Sequence, residues 1–134
     1  MSGCVLDTDV VIAGLDRSDA HHRAAAQAIE RMAAGGVPML LSLINYAEVL
    51  VRPAVDDAAL RVAVRAVDAL GIRLVAPTAA IARDAADLRG STISLADGFA
   101  LATARAQGAD VASFDRRVRR ALRAAGLDLT PALR

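Results

Sequence analysis

The chain has 134 residues, a formal net charge of +1, and 55% hydrophobic but only 2% aromatic residues. This length predicts a single domain, residues 1–134, with a hydrophobic core of its own. One cysteine excludes an internal disulfide framework and a cysteine metal cluster. The scarcity of aromatic residues argues against stacking of single-stranded nucleic acid as the main activity.

The sequence shows neither a signal-peptide pattern nor an uncharged apolar run of the roughly 18 to 20 residues that a membrane span needs. We therefore expect a cytoplasmic protein that does not contact a membrane. All 16 Lys and Arg positions are occupied by arginine. Mechanisms that depend on a lysine are thereby excluded.

Apolar runs alternate with helix-forming segments along the whole chain. The run at 37–41 is continuously apolar, as is typical of a strand covered on both faces of a parallel sheet. The alternation predicts an α/β sandwich with a mainly parallel central sheet. In chain order, the first half of the sequence predicts a strand at 5–7, helices at 9–15 and 20–34, a strand at 37–41 and a helix from 42 bounded by Pro53. The second half predicts a helix from 56 or 57 to 70, a strand at 72–76, helices at 78–89 and 94–107, a strand at 110–114, a helix from 115 ended by Gly126 and a short last strand at 127–129.

Acidic residues follow or interrupt the apolar segments at four places. Asp7 and Asp115 end the first and fourth predicted strands, and Asp97 is the third residue after the predicted helix cap Ser94. Glu48 lies inside an apolar stretch. Because ligands of open parallel sheets bind beyond the carboxyl ends of the strands, we expect these four acids to meet there.

Each acid also has a structural interpretation. Asp7 and Asp115 are favourable helix N-caps, and Asp97 would complement a helix dipole. Glu48 is harder to explain in this way, because its neighbours on the same helical face are apolar. Burial of a lone carboxylate is costly unless it is paired or binds a metal ion.

Carboxylates packed together repel one another and raise one another's pKa values, and a hard divalent cation removes that repulsion. Mg²⁺ or Mn²⁺ takes oxygen ligands, activates water and stabilises the leaving oxygen of a phosphodiester. The Cys and His ligands expected of a zinc site are missing. The adjacent His21 and His22 are interpreted as solvated surface residues. The acids therefore predict a Mg²⁺ or Mn²⁺ site that supports phosphodiester hydrolysis.

Four motifs of the sequence resemble, in order and spacing, those of PIN-domain ribonucleases. They lie at 5–12, 42–50, 93–104 and 109–117. The resemblance covers nearly the whole chain and is closest to the VapC-type toxins of bacterial toxin–antitoxin pairs. Two positions depart from the pattern: Asp9 stands where many relatives have Ser or Asn, and Gly98 stands where a larger residue is usual, which could loosen that helix's first turn.

The resemblance implies a three-layer α/β/α sandwich and endonucleolytic cleavage of RNA, commonly tRNA or rRNA, that depends on Mg²⁺ or Mn²⁺. It also implies a homodimer and a cognate VapB-type antitoxin that blocks the site. The motifs assign catalytic and metal-binding roles to four acids and place small polar residues near them. The acids are Asp7, Glu48, Asp97 and Asp115, and the small polar residues are Thr8 and Ser113.

A cluster of arginines follows the last of these acids. Arg116 and Arg117, with Arg119 and Arg120, could hold RNA phosphates, because a guanidinium group offers bidentate hydrogen bonds to phosphate. The alternative is a solvated helix face, which is the usual state of such a charge run.

Two other functions fit parts of the sequence. In a haloacid-dehalogenase-like phosphatase, the Asp-x-Asp pattern of the first motif would make Asp7 a covalent nucleophile and Asp9 a general acid. That class normally uses a lysine, which this chain lacks, and it leaves Glu48 without a role. A catalytically silent PIN-like interaction subunit is the non-enzymatic alternative.

Overall fold

The structure, a computed structural model, describes residues 3–90 and 92–134. Met1, Ser2 and Ser91 lie outside the described residues. Within them, four strands and seven α-helices alternate along the chain. The strands are β1 (Cys4–Leu6), β2 (Met39–Ser42), β3 (Arg73–Val75) and β4 (Asp110–Ala112). The helices are α1 (Thr8–Leu15), α2 (His22–Ala34), α3 (Leu43–Leu50), α4 (Asp57–Ala69), α5 (Ala79–Arg89), α6 (Leu95–Gln107) and α7 (Arg116–Ala124).

The strands form one parallel sheet in the order β3-β2-β1-β4. At its centre, Val5 of β1 lies opposite Leu40 of β2 on one side and Val111 of β4 on the other. The carboxyl ends of all four strands therefore lie at the same edge of the sheet. This edge carries the residues that follow β1 and β4.

Successive residues of each central strand face opposite sides, as the two-residue period of a strand requires. Cys4 and Leu6 pack into a core with α1 to α4, whereas Val5 packs into a second core with α6 and α7. Helices thus cover both faces of a parallel sheet. The structure confirms the predicted three-layer α/β/α sandwich.

β2, β3 and β4 are shorter than the sequence predicts, and β1 has the predicted length but lies one residue earlier. β1 ends at Leu6 because Asp7 caps α1. β4 ends at Ala112, since Ser113 and Phe114 leave the sheet and bond to other parts of the chain.

The last predicted strand, at 127–129, is wrong as a full strand. Only Leu129 forms an isolated bridge, with Val111. Pairing stops because Pro131, which has no backbone N–H, begins a short 3-10 turn that runs to Leu133.

The helices predicted from 42, 78, 94 and 115 are each capped by the side chain of the residue at which the prediction begins. The side chain of Ser42 accepts a hydrogen bond from the Ile44 N–H, and Thr78 accepts one from Ile81. Asp115 caps α7 in the same way. In the described part of the chain, no helix is both long and apolar enough to cross a membrane.

Candidate active site

Asp7 is buried at the carboxyl end of β1, with only 2% of its surface exposed. One carboxylate oxygen accepts a hydrogen bond from the Thr8 N–H at 2.9 Å, and the other accepts one from the Ser113 hydroxyl at 2.8 Å. The carboxylate therefore both caps α1 and bonds to the chain that leaves β4. Thr8 and Ser113, the small polar residues that the resemblance implies near the acids, thus both contact Asp7.

Ser113 connects Asp7 to Asp115. The Ser113 hydroxyl oxygen accepts a hydrogen bond from the Asp115 N–H at 3.2 Å while it donates to Asp7. The Asp115 carboxylate is exposed and accepts from the N–H groups of Arg117 and Val118. By capping α7, Asp115 is thus held at the carboxyl edge of the sheet, close to the chain that leaves β4.

Asp97 lies in the first turn of α6 and forms a capping box with Ser94. The Ser94 N–H donates to Asp97 Oδ2, and the Asp97 N–H donates to Ser94 Oγ, both at 3.1 Å. One oxygen of the carboxylate is therefore engaged, and Oδ1 is free of this motif. The charge on Asp97 reaches Asp7, where it contributes to a raised pKa.

Glu48 is exposed, so the expectation that it is a buried carboxylate is wrong. Asn45 and Val49 are the residues of α3 that face the core. The Glu48 carboxylate instead accepts a hydrogen bond of 2.6 Å from the Thr8 hydroxyl. This bond still brings Glu48 to the residue that follows Asp7.

Asn45 is a site residue that the sequence interpretation missed. Its buried amide nitrogen donates to Thr8 Oγ1 at 3.0 Å and to the carbonyl of Ala96 at 3.2 Å. It therefore joins α3 to the start of α1 and to the residue before Asp97. A polar residue three positions before Glu48 in an apolar run was the available signal.

Asp9 is half-buried beside the chain that leaves β4. Its Oδ2 accepts a hydrogen bond from the Phe114 N–H at 3.0 Å, whereas its buried Oδ1 has no partner among the described residues. Burial is the main cause that raises the pKa of Asp9 to about 6, and the charges of Asp115 and Asp97 add to it. Asp9 is thus a fifth acid of the site.

The acids at this edge of the sheet affect one another electrostatically. Burial, followed by the charges of Asp9 and Asp97, raises the pKa of Asp7 well above its usual range. A carboxylate surrounded by other carboxylates favours protonation or a bound cation. Asp7, Asp9 and Asp97 therefore form one group of interacting carboxylates, with exposed Asp115 next to it. We call this group the acidic crevice.

The donors of this crevice fit a hard divalent cation in kind. All are carboxylate oxygens, and in the described part of the chain one of them, Asp9 Oδ1, is buried without a partner, as is the amide oxygen of Asn45. Within residues 3–90 and 92–134, however, no three His, Cys, Asp or Glu side chains are already arranged to hold an ion. Glu48 and Asp97 are engaged with Thr8 and Ser94 instead.

The interpretation of the two histidines as solvated surface residues holds for His21, which is exposed, and is wrong for His22, which is half-buried. The His21 ring stacks on Phe114, with ring centroids 4.4 Å apart and an interplanar angle of 10°. His22 is half-buried, and its Nδ1 lies 2.7 Å from the carbonyl oxygen of Ala13. The two rings therefore have different structural roles although they are adjacent in sequence.

The fold and the crevice define an α/β protein with clustered carboxylates at the carboxyl edge of a parallel sheet. The chain belongs to the PIN domain family, which matches residues 4–123. A search among curated proteins gave no significant match.

Solved structures with the same fold cover nearly the whole chain. VapC20 of Mycobacterium tuberculosis, described as a sarcin-ricin loop cleaving toxin, has a TM-score of 0.71 and 22% identity over 96% of this chain and 98% of its own. VapBC2 of Rickettsia felis, bound to a DNA fragment from its promoter, has a TM-score of 0.74 and 16% identity over 95% and 96%. A toxin–antitoxin complex from Klebsiella pneumoniae has a TM-score of 0.65 and 24% identity over 87% and 90%. At these identities, the similarity shows a shared fold.

Proposed function

We propose that this PIN-domain protein is a metal-dependent endoribonuclease, the toxin of a VapBC-type toxin–antitoxin module, and that residues 1–134 form its single domain. The observation that carries the proposal is the acidic crevice, which contains buried Asp7 and half-buried Asp9, whose Oδ1 has no partner among the described residues. Burial, followed by the charges of Asp9 and Asp97, raises the pKa of Asp7 there. Similar structures include a toxin that cleaves the sarcin-ricin loop and toxin–antitoxin complexes. Ribosomal or transfer RNA is therefore the proposed substrate.

In this proposal, Asp7 and Asp97 hold Mg²⁺ or Mn²⁺, and Glu48 and Asp115 complete the site directly or through water. When bound, the cation supplies an activated water and offsets charge on the leaving oxygen of a phosphodiester. Asp9 supplies a further buried oxygen within the same crevice.

The surrounding polar residues position these carboxylates. The Ser113 hydroxyl and the Thr8 N–H each donate to a different oxygen of Asp7 and so fix the plane of its carboxylate. The Thr8 hydroxyl donates to Glu48 and accepts from Asn45, which orients both side chains. Thr8 and Ser113 therefore act on the carboxylates, and this role supports their assignment to the site.

We propose that RNA phosphates bind to the exposed arginines that follow Asp115. Arg116 and Arg117 lie in the first turn of α7, and Arg117 and Arg120 line a cleft of about 610 Å³. Arg119 has a different role, because its Nε donates to the Ser113 carbonyl at 2.7 Å. It anchors α7 to the end of β4.

The phosphatase alternative fits the crevice less well. A phosphatase of that class normally uses a lysine to hold the phosphoryl group, and every basic residue of this chain is an arginine. Asp9 moreover uses one oxygen to accept from the Phe114 N–H and buries the other.

Purified protein assayed in parallel on total RNA and on p-nitrophenyl phosphate tests the proposal. We expect discrete RNA fragments with Mg²⁺ or Mn²⁺, none with excess chelator, and no phosphomonoester hydrolysis. Hydrolysis of p-nitrophenyl phosphate without RNA cleavage would favour the phosphatase. Activity on neither substrate, together with intact folding, would favour the silent interaction subunit.

We propose that the antitoxin docks in an apolar groove of about 900 Å³ between the C-terminal half of α1, the C-terminal half of α3 and α4. Val51 and Val62 line it and are 66% and 65% exposed, as expected of a surface that a partner covers. Glu48 also lines the groove, so a segment bound there reaches the carboxylates. The resemblance also supports a homodimer.

Replacing Val62 with Asp should weaken inhibition by the antitoxin at least tenfold, because a charge would be buried against apolar side chains. RNA cleavage by the free toxin should be unchanged. The measurement is inhibition of cleavage by the protein encoded in the neighbouring upstream gene. Val55→Asp is the control, since Val55 is 89% exposed and does not line the groove. Equal inhibition of both variants would contradict this docking site, and loss of a homodimer by Val62→Asp would assign the groove to a second copy.

A further inference from the structure

His21 is an exposed aromatic residue whose backbone and ring are each held by a separate contact. His21 occupies the N-cap position of α2, but its side chain makes no capping hydrogen bond. Its backbone N–H donates to Asp19 Oδ1 at 2.8 Å, which fixes the backbone. The ring itself lies flat on Phe114. The ring therefore lies at the surface and takes no part in capping the helix.

Phe114 ties this ring to the acidic crevice. It stands between Ser113, which bonds to Asp7, and Asp115, which caps α7. Its N–H donates to Asp9 at 3.0 Å, and its ring packs against the core on the α1 and α2 side of the sheet. The stack of His21 on Phe114 is therefore connected to the carboxylate site through the backbone of Phe114, which bonds to Asp9.

We propose that the outer face of the His21 ring stacks with an unpaired nucleobase of the RNA substrate, next to the phosphodiester that is cleaved. This inference rests on the proposed function. One ring face is covered by Phe114, and His21 as a whole remains exposed, which leaves the opposite face for a second flat group. Unpaired RNA bases commonly stack on aromatic side chains, histidine included.

A single base contact at His21 is compatible with the scarcity of aromatic residues, which excludes only an extended stacking surface: the chain has two Phe, one Tyr and no Trp. In the described part of the chain, His21 and Phe114 form the one aromatic pair. A buried pair would be explained by core packing alone, whereas this one holds an exposed ring on the residue whose backbone bonds to Asp9. Base stacking tolerates many sequences, so the contact would add affinity without dictating a strict cleavage motif.

The test measures binding of a labelled single-stranded RNA of mixed sequence to protein carrying Asp97→Asn, which removes cleavage in the proposed mechanism. Adding His21→Ala should weaken binding by between about 5-fold and 150-fold, because stacking of one base is worth about 1 to 3 kcal/mol. Adding His21→Phe should retain the affinity, since a phenyl ring stacks equally well. His22→Ala is the matched control, because the His22 ring is outside the stack, and it should leave the affinity unchanged.

An abasic oligonucleotide of the same length separates stacking from charge. On this probe His21→Ala should have no effect, because no base remains to stack. A loss that persists on the abasic probe, or a loss in His21→Phe, would overturn the inference and assign the ring an ionic or protonic role. Unchanged binding of normal RNA by His21→Ala would also overturn the inference. If His21→Ala weakened only the binding of the antitoxin, the ring would contact a side chain of the antitoxin instead of a nucleobase. Failure of the parent protein to bind RNA would instead overturn the proposed function, and this inference with it.

Discussion

Asp97→Asn should abolish RNA cleavage while the protein remains folded. Asparagine keeps an oxygen that can accept from the Ser94 N–H, so the capping box at the start of α6 is retained. The substitution removes one of the charges that act on Asp7, and with it a proposed ligand of the cation. Loss of a partner that only supports a metal ligand typically costs about 10-fold to 100-fold in activity. Loss of the ligand itself should therefore exceed that range.

Cleavage of RNA under Mg²⁺ and thermal unfolding without metal are the two measurements for this variant. The metal-free variant should be as stable as the wild type or slightly more stable, because repulsion among the carboxylates is reduced. Asp87→Asn is the matched control, since Asp87 is an exposed aspartate on the neighbouring helix α5. Wild-type cleavage by Asp97→Asn, or an equal loss in the control, would contradict the assignment.

Gly98→Ala should destabilise the protein by about 1 to 2 kcal/mol, although alanine usually stabilises a helix. A Cβ atom at this position would lie 2.6 Å from the carbonyl oxygen of Ala85 in α5. Overpacking of this kind costs about 1 to 3 kcal/mol, which exceeds the roughly 0.5 to 1 kcal/mol that the change gains in helix propensity. Because Asp97 is the preceding residue, movement of α6 should also lower cleavage.

Urea unfolding of Gly98→Ala and of Gly14→Ala provides the comparison. A Cβ at Gly14 would approach Ile29 Cδ1 to 2.9 Å, which is the end of a flexible side chain that can move aside. Gly14→Ala should therefore be close to neutral. A Gly98→Ala protein as stable as the wild type would show that α5 and α6 are not in close contact there.

Gly98 also shows the limit of a comparison of motifs. The resemblance marks it as a departure that could loosen the first turn of α6. The structure gives the opposite reason for glycine, because its missing side chain allows α5 to pack directly against α6. The distance between two helices depends on contacts between residues far apart in the sequence, so a local sequence pattern cannot predict it.

Local signals predicted much of the fold. Apolar runs located all four strands, and the helix starts at Ser42, Thr78 and Asp115 were recognisable because capping depends on residues within a few positions. The positions of Asp7 and Asp115 at the ends of β1 and β4 followed from the same reasoning. Parallel strands bring such positions together without any further information.

The residues that were misjudged depend on contacts between elements. The exposure of Glu48 is set by which face of α3 packs inward, and Asn45 matters because it reaches both Thr8 and Ala96. The bond of Asp9 to Phe114 spans 105 positions in the sequence. Such contacts follow from the packed structure, so neither spacing nor composition could have predicted them.

Calorimetric titration of Mn²⁺ into the metal-free protein tests most directly the central claim that the acidic crevice is a metal site. Wild-type protein should bind Mn²⁺, and binding should be lost in Asp7→Asn, whose carboxylate lies at the centre of the crevice, but retained in the Asp87→Asn control. No Mn²⁺ binding by folded wild-type protein, or equal binding by Asp7→Asn, would contradict the claim.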